Sequence, residues 1–369
     1  RNLRAYLSWA QIAEIFPLHS VGIVTARDRF AIAFDKRELH NRILQFRNIE
    51  GLPDEVLKQA YGLKDKPGWS LAKARERVQS EAEPDKKIRP ILYRPFDVRY
   101  VYYHEAVIER PRAEVMHHML AGENLALITH KREELDVAWA HALVTDLVTE
   151  HGVTSSKTTN YHFPLYLYQD GTKQELRPER TPNLADWLLP KLRAAYGFRP
   201  SPEQVLAYIY AVLYSPTYRQ KYTQELRIDF PRVPLTADAD VFRQMAELGR
   251  RLIALHLLDS PALDPPVAKY QGTGTNDAIE RLRYDGAQQR VYINADKYFE
   301  GVGPEMWNYQ IGGYQVLAKY LKDRKGRRMD DPVRYIHIAT AIARTIDLQA
   351  QIDALYPLAE SNVVPHERR

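Results

Sequence analysis

The sequence predicts an α+β fold: a mixed β-sheet subdomain, then a helical subdomain, then a small C-terminal unit of β-hairpin and helix. Three observations carry that expectation. Strand-like apolar and aromatic runs gather in the first half, at 88–103, 124–129 and 161–168. After a polar stretch at 169–182 with Gly171, Pro178 and Pro182, the apolar spacing turns helical over 184–196, 202–213, 216–225 and 239–257. Near the end, 281–294 reads as a hairpin turning at Asp285-Gly286, and 309–328 as a Gly312-Gly313 turn leading into a basic helix. The expected division is therefore 1–168 as the mixed sheet part, 169–182 as linker, 183–260 as the helical part and 261–369 as the closing unit.

In chain order, 2–15 has helical spacing, with Leu3, Leu7, Ile12 and Ile15 on one side, and Phe16-Pro17 ends it. Residues 21–24 and 30–34 read as two strands, with Thr25-Ala26-Arg27-Asp28 as the turn between them. From 35 to 82 the pattern is helical and charged, broken by Pro53 and Pro67, with Asp35 or Asp54 available as caps. Arg110-Pro111-Arg112 precedes a helical run at 114–120, and a proline suits a helix start. Residues 138–148 read as a further strand or a short helix. The run 154–160 (TSSKTTN) is a polar loop rich in adaptable hydrogen-bonding groups, and 332–355 is a closing helix.

Composition bounds the function. Of the 369 residues, 45% are hydrophobic and 11% aromatic, which supports a sizeable core. Tyrosine outnumbers phenylalanine, 24 to 10, and suits rings that pack on one side and meet water on the other. There is no cysteine, so disulfide frameworks and thiolate zinc sites are excluded and a reducing cytoplasm fits. No run of 18 apolar residues exists, so no membrane partner is expected. The net charge of +5 permits nucleic-acid binding without requiring it. The sequence opens on Arg1, shows no signal peptide, and reads as a piece of something longer.

The stretch 93–131 concentrates the candidate chemistry. Tyr93, Phe96, Tyr100, Tyr102 and Tyr103 supply aromatic mass, and Arg94, Arg99, Arg110 and Arg112 supply four guanidiniums. Guanidinium forks suit guanine edges and phosphates. The same pattern also fits a buried strand pair whose arginines solvate its rim. Asp97, between Arg94 and Arg99, is a partner for one of them. Catalytic signatures are weak. Asp264-Pro265-Pro266-Val267 lacks the aromatic that an amino-methyltransferase motif needs to stack on a flipped base. Gly272-Thr273-Gly274 lacks a βαβ context. Pro53-Asp54 and Pro84-Asp85 lack the acidic-x-lysine strand of a metal nuclease. His117, His118, His130, His141 and His151 are scattered and read as structural.

Four separated stretches nonetheless agree with one family. YRPFDVRYVYY, RPRAEVMHHM and ENLALIT, followed by FPLYLY, resemble the C-terminal specificity region of Type ISP restriction-modification enzymes, as does WNYQIGGYQVLAKYLKDRKGR at 307–327. LYSPTYRQKY through LGRRLIALHLL is similar to a helical segment of Type IIG and related proteins. GIVTARDRF is similar to the junction that follows their methyltransferase. The resemblance implies a target recognition domain that reads double-stranded DNA and has no chemistry of its own. It directs an adenine methyltransferase and an ATP-dependent nuclease in the same polypeptide. S-adenosylmethionine, ATP and magnesium are then expected only in parts absent from this chain, with no cofactor or metal here.

On that reading Thr25, Arg27 and Asp28, Arg110 and Arg112, Lys131 and Arg132, and Ser155, Ser156, Lys157, Thr158 and Asn160 line the DNA face. A rigid sheet carrying Arg94, Asp97 and Arg99 would add them to that face; Arg94 and Asp97 could instead pair internally. The basic helix from Lys319 to Arg328 either grips phosphates or is a solvated face. The alternative function is a scaffold that docks on a methyltransferase and touches DNA little. A degenerate methyltransferase is a third.

Overall fold

In the computed structural model, residues 2–48, 50–134, 136–169 and 179–366 are described. Two four-stranded sheets share the first half. One runs, in spatial order, Ser20–Val21, Asn160–Pro164, Ala126–His130 and Ala142–Thr145, antiparallel throughout. The other runs Ile32–Ala33, Asp97–Tyr102, Ile88–Arg94 and Val148–Thr149, with only the last pair parallel. Every residue of Ala126–His130 and of Ala142–Thr145 is buried, which is why these strands read as apolar runs rather than alternating ones.

The helical part grows from its caps and its apolar faces. Pro202–Tyr214 starts with a Ser201/Gln204 capping box and a proline in its first turn, and its last ten residues are all buried. Ala239–His256 crosses it at Gly249, where an added Cβ would lie 1.8 Å from the Ala207 carbonyl oxygen. Pro332–Ser361 packs against both, and a third antiparallel sheet runs Lys269–Gly272, Lys297–Glu300, Arg290–Tyr292 and Arg283–Asp285. The hairpin expected at Asp285-Gly286 is the pair Arg283–Asp285 and Arg290–Tyr292.

Two hydrophobic clusters result. The larger one draws on Tyr6 and Trp9 at the start, Leu127 and Phe163 in the first sheet, Tyr208 and Phe242 in the helices, and Ile352 near the end. The smaller lies under the charged helices Lys36–Arg47, Asp54–Tyr61 and Leu71–Gln79 and centres on Phe30, Phe46, Leu71 and Val101. Asp35 caps the first of these helices, accepting from the amides of Arg37 and Glu38. Asp54 instead starts its helix and pairs with the buried Arg75.

Three expectations are corrected. The run at 2–15 is not one helix: Asn2–Leu7 and Ile12–Ile15 are separated by Ala10–Gln11, which pairs with Arg232–Val233. The Tyr6 hydroxyl accepts from the Arg232 amide, and the Ile12 amide donates to the Pro231 carbonyl, so a distant segment breaks the helix. The strand expected at 30–34 is a helical turn, Asp28–Ala31, followed by Ile32–Ala33, because the amides of Phe30 and Ala31 both bond the Arg27 carbonyl. The closing helix runs on past 355 to Ser361. Of the stretch expected as a linker, 170–178 lies outside the described residues. Its end, Arg180–Pro182, pairs as a strand with Tyr166–Tyr168.

Candidate nucleic-acid interface

The structure sorts the candidate residues into two sets. The first is engaged inside the protein. Arg27 is 8% exposed; it donates to the carbonyls of Val107 (2.9 Å) and Thr25 (3.2 Å) and its guanidinium sits 3.8 Å over Trp69. Thr25 is buried, and both it and the Tyr93 hydroxyl bond Asp28. Asp97 is 1% exposed; it accepts from Arg99 through one oxygen (2.7 Å) and from Arg324 through the other (2.6 Å). Burial opposes ionisation of Asp97, but the two guanidiniums outweigh it and hold the carboxyl below the ordinary range. Arg99 reaches Asp323 as well and lies between the rings of Phe34 and Tyr93. Arg94 donates to Glu150 at 2.5 Å, over the Tyr93 ring. Arg94, Asp97 and Arg99 are thus all paired within the protein.

The second set is exposed: Arg110, Lys131, Arg132, Ser156 and Lys157. Hydrogen bonds, backbone ones and one between side chains, connect their segments into one seam. Arg110 pairs with Val24 in both directions, and the Ile23 carbonyl accepts from His151. The His151 carbonyl accepts from the Asn160 amide. Thr158 Oγ1 donates to Glu133 Oε1 at 2.8 Å, which ties the loop to the segment carrying Lys131 and Arg132. Arg112 is half-buried at the start of Ala113–Leu120, with φ +54°, and its carbonyl accepts the amides of Val115 and Met116.

The loop at 154–160 turns most of its polar groups inward. Ser155 Oγ accepts from the amides of Lys157 and Thr158, and Asn160 donates to the carbonyls of His151 and Thr158. Ser155, Thr158 and Asn160 are buried, leaving Ser156 and Lys157 of the candidates at the surface. The Gly312-Gly313 turn holds this loop. The Gly313 amide donates to the Thr154 carbonyl, and Gly312, at φ +60°, leaves no room for a Cβ, which would lie 2.0 Å from that oxygen.

The basic segment at 319–328 is mostly paired within the chain. Lys319 pairs with Asp323, Arg324 with Asp97, Arg327 with Glu38 and Arg328 with Asp277. The helix itself is only Val316–Lys322. Asp264, of the Asp-Pro-Pro-Val stretch, pairs loosely with His337 at 3.9 Å on the surface.

Sequence reading missed Glu150, and read His151 as structural. Glu150 is buried and receives Arg94, the Gly152 amide and the half-exposed His151. Its carboxylate, hydrogen-bonded to the imidazole, raises the His151 pKa above the usual imidazole value. It also missed a buried group formed by His130, Glu133 and His141. The register of two strands is the only signal that joins the histidines: His130 follows the Thr129–Ala142 pair, which puts it opposite His141.

The sequence matches the family model of the Type ISP C-terminal specificity domain over residues 14–351. No curated protein matches it. Among solved structures, it is similar to the ATP-dependent Type ISP restriction-modification enzyme LlaBIII bound to DNA, with TM-score 0.71 and 18% identity over 92% of this chain and 24% of that one. A nuclease-deletion mutant of the Type ISP enzyme LlaGI, in complex with a DNA substrate mimic, gives TM-score 0.66 and 19% identity over 94% of this chain and 29% of that one. The DrdV–DNA complex gives 0.69 and 24% over 92% and 35%. The chain thus spans about a quarter to a third of the solved structures it matches.

Proposed function

The chain belongs to the Type ISP C-terminal specificity family, and on that premise we propose that it reads the double-stranded DNA target of a restriction-modification enzyme along the seam of Arg110, Lys131, Arg132, Ser156 and Lys157. The observation that carries this reading is the sorting of cations. Arg27, Arg94 and Arg99 are engaged in the interior, whereas four cations along one hydrogen-bonded seam stay exposed. Exposed lysines and arginines contact phosphates and set the register on the duplex. The buried network of Thr154, Ser155, Thr158 and Asn160 holds Ser156 and Lys157 in place, as a base-reading site requires.

The chain supplies no chemistry of its own in this reading. Methyl transfer with S-adenosylmethionine, and ATP- and magnesium-dependent cleavage, belong to other parts of the same polypeptide. The methyltransferase part is its second partner, and it works in the cytoplasm. No helix among the described residues is long and apolar enough to cross a membrane.

The test is fluorescence anisotropy of the chain on random duplex DNA, titrated across salt. Contact with about four phosphates predicts log K falling with log salt at a slope of about −3.6. Lys131→Ala with Arg132→Ala removes about 1.8 of that slope. Binding absent even at low salt overturns DNA reading by this chain and favours the scaffold that docks on a methyltransferase.

A further inference from the structure

His130, Glu133 and His141 bring one ligand atom each within 4.8 Å of one another, and all three side chains are fully buried. Glu133 Oε2 is 2.5 Å from His141 Nε2 and 3.6 Å from His130 Nδ1. Beyond that contact with Glu133, His141 has no hydrogen-bond partner on its other ring nitrogen, and His130 Nδ1 has none either among the described residues. Buried imidazole nitrogens need a hydrogen-bond partner or a Lewis acid. We propose that these three residues bind a divalent transition-metal ion of the zinc class.

The donor set selects the ion. Two imidazole nitrogens and one carboxylate oxygen, with no thiolate, suit zinc, whereas magnesium and calcium favour oxygen ligands and water. Outer partners are in place for two of the ligands. Thr158 donates to Glu133 Oε1, and His130 Nε2 lies 3.2 Å from the Leu226 carbonyl and 2.8 Å from Trp139 Nε1. The Trp139 indole donates to Nε2, which puts the His130 proton on Nδ1, facing Glu133. A metal ion held by Nδ1 would leave the imidazole proton on Nε2, where the Leu226 carbonyl is placed to accept it in place of the indole contact. An ion there would join Ala126–His130, the strand start at Ala142–Thr145 and the loop at 154–160. Lys131 and Arg132 lie between two of its ligands. Metal binding stands independently of DNA reading.

The experiment is metal analysis of the chain purified without chelator or affinity tag, followed by thermal unfolding after chelator treatment with zinc returned. Zinc bound in roughly one-to-one ratio, a lower Tm after chelation and its recovery with zinc are expected. Glu133→Gln should abolish binding, and Thr158→Val should weaken it by about 10–100-fold while leaving the ligands intact. Zinc binding should also change the tryptophan fluorescence, and Trp139→Phe should remove that change. A wild-type chain that holds no metal, and whose Tm does not respond to zinc, overturns the proposal whether or not the variants fold. The triad is then closed by a proton shared between His141 and Glu133.

Discussion

Asp97 shows what a single residue decides here. The sequence leaves it either at the DNA face or in an internal pair, and the buried bridge to Arg99 and Arg324 places it inside. Replacing it with asparagine leaves two largely buried guanidiniums short of their counter-charge. Asp97→Asn should therefore cost about 3–5 kcal/mol, measured by denaturant unfolding. The wild-type carboxyl is held below its ordinary value, so its contribution is present above the unfolded-state pKa and is lost as pH falls through the folded value. The stability gap between wild type and Asp97→Asn should close on acidification; a gap that is constant with pH would refute the assignment. Phe96 makes a similar point about the turn before it. A phenylalanine at φ +62° is unusual in a strand connection, and it holds because its ring is buried beside His256.

At the scale of elements, the crossing of Pro202–Tyr214 and Ala239–His256 depends on the absence of one side chain. Gly249 lets the backbones meet, with the Ala207 carbonyl where a Cβ would be. The obstacle is backbone, so it cannot rotate away. Gly249→Ala should destabilise by about 1–3 kcal/mol or more despite alanine's better helix propensity, read as a lower denaturant midpoint. A neutral or stabilising effect would mean the helices can separate freely. The helices were legible because their cues are local: the Ser201/Gln204 box, Pro202, and an apolar run that buries nearly every turn. The break at Ala10–Gln11 was not legible, because its cause is 220 or so residues away in Arg232–Val233.

Across the whole molecule, the division into sheet, helical and closing parts marks changes of element type within a shared core. Tyr6, Phe163, Tyr208 and Ile352 belong to one hydrophobic cluster, and the first segment pairs with Arg232–Val233. Residues 1–169 and 179–369, produced as two separate pieces in one cell, should co-elute on size-exclusion chromatography. The piece from 183 onward expressed alone should lack a cooperative thermal transition, since its apolar faces lose the sheets that cover them. A cooperative transition in that piece would establish it as an independent folding unit.

By itself the sequence determined the mixture of strands and helices, the cap at Asp35, the hairpin near Asp285 and the family. These follow from local periodicity and from motifs that stay readable in any context. Tertiary structure alone decided which arginines face solvent, because Arg27, Arg94 and Arg99 carry the same side chain as Arg110 and Arg132 and differ only in what surrounds them. It also decided the meeting of His130, Glu133 and His141, since strand register, not spacing along the chain, sets which side chains converge.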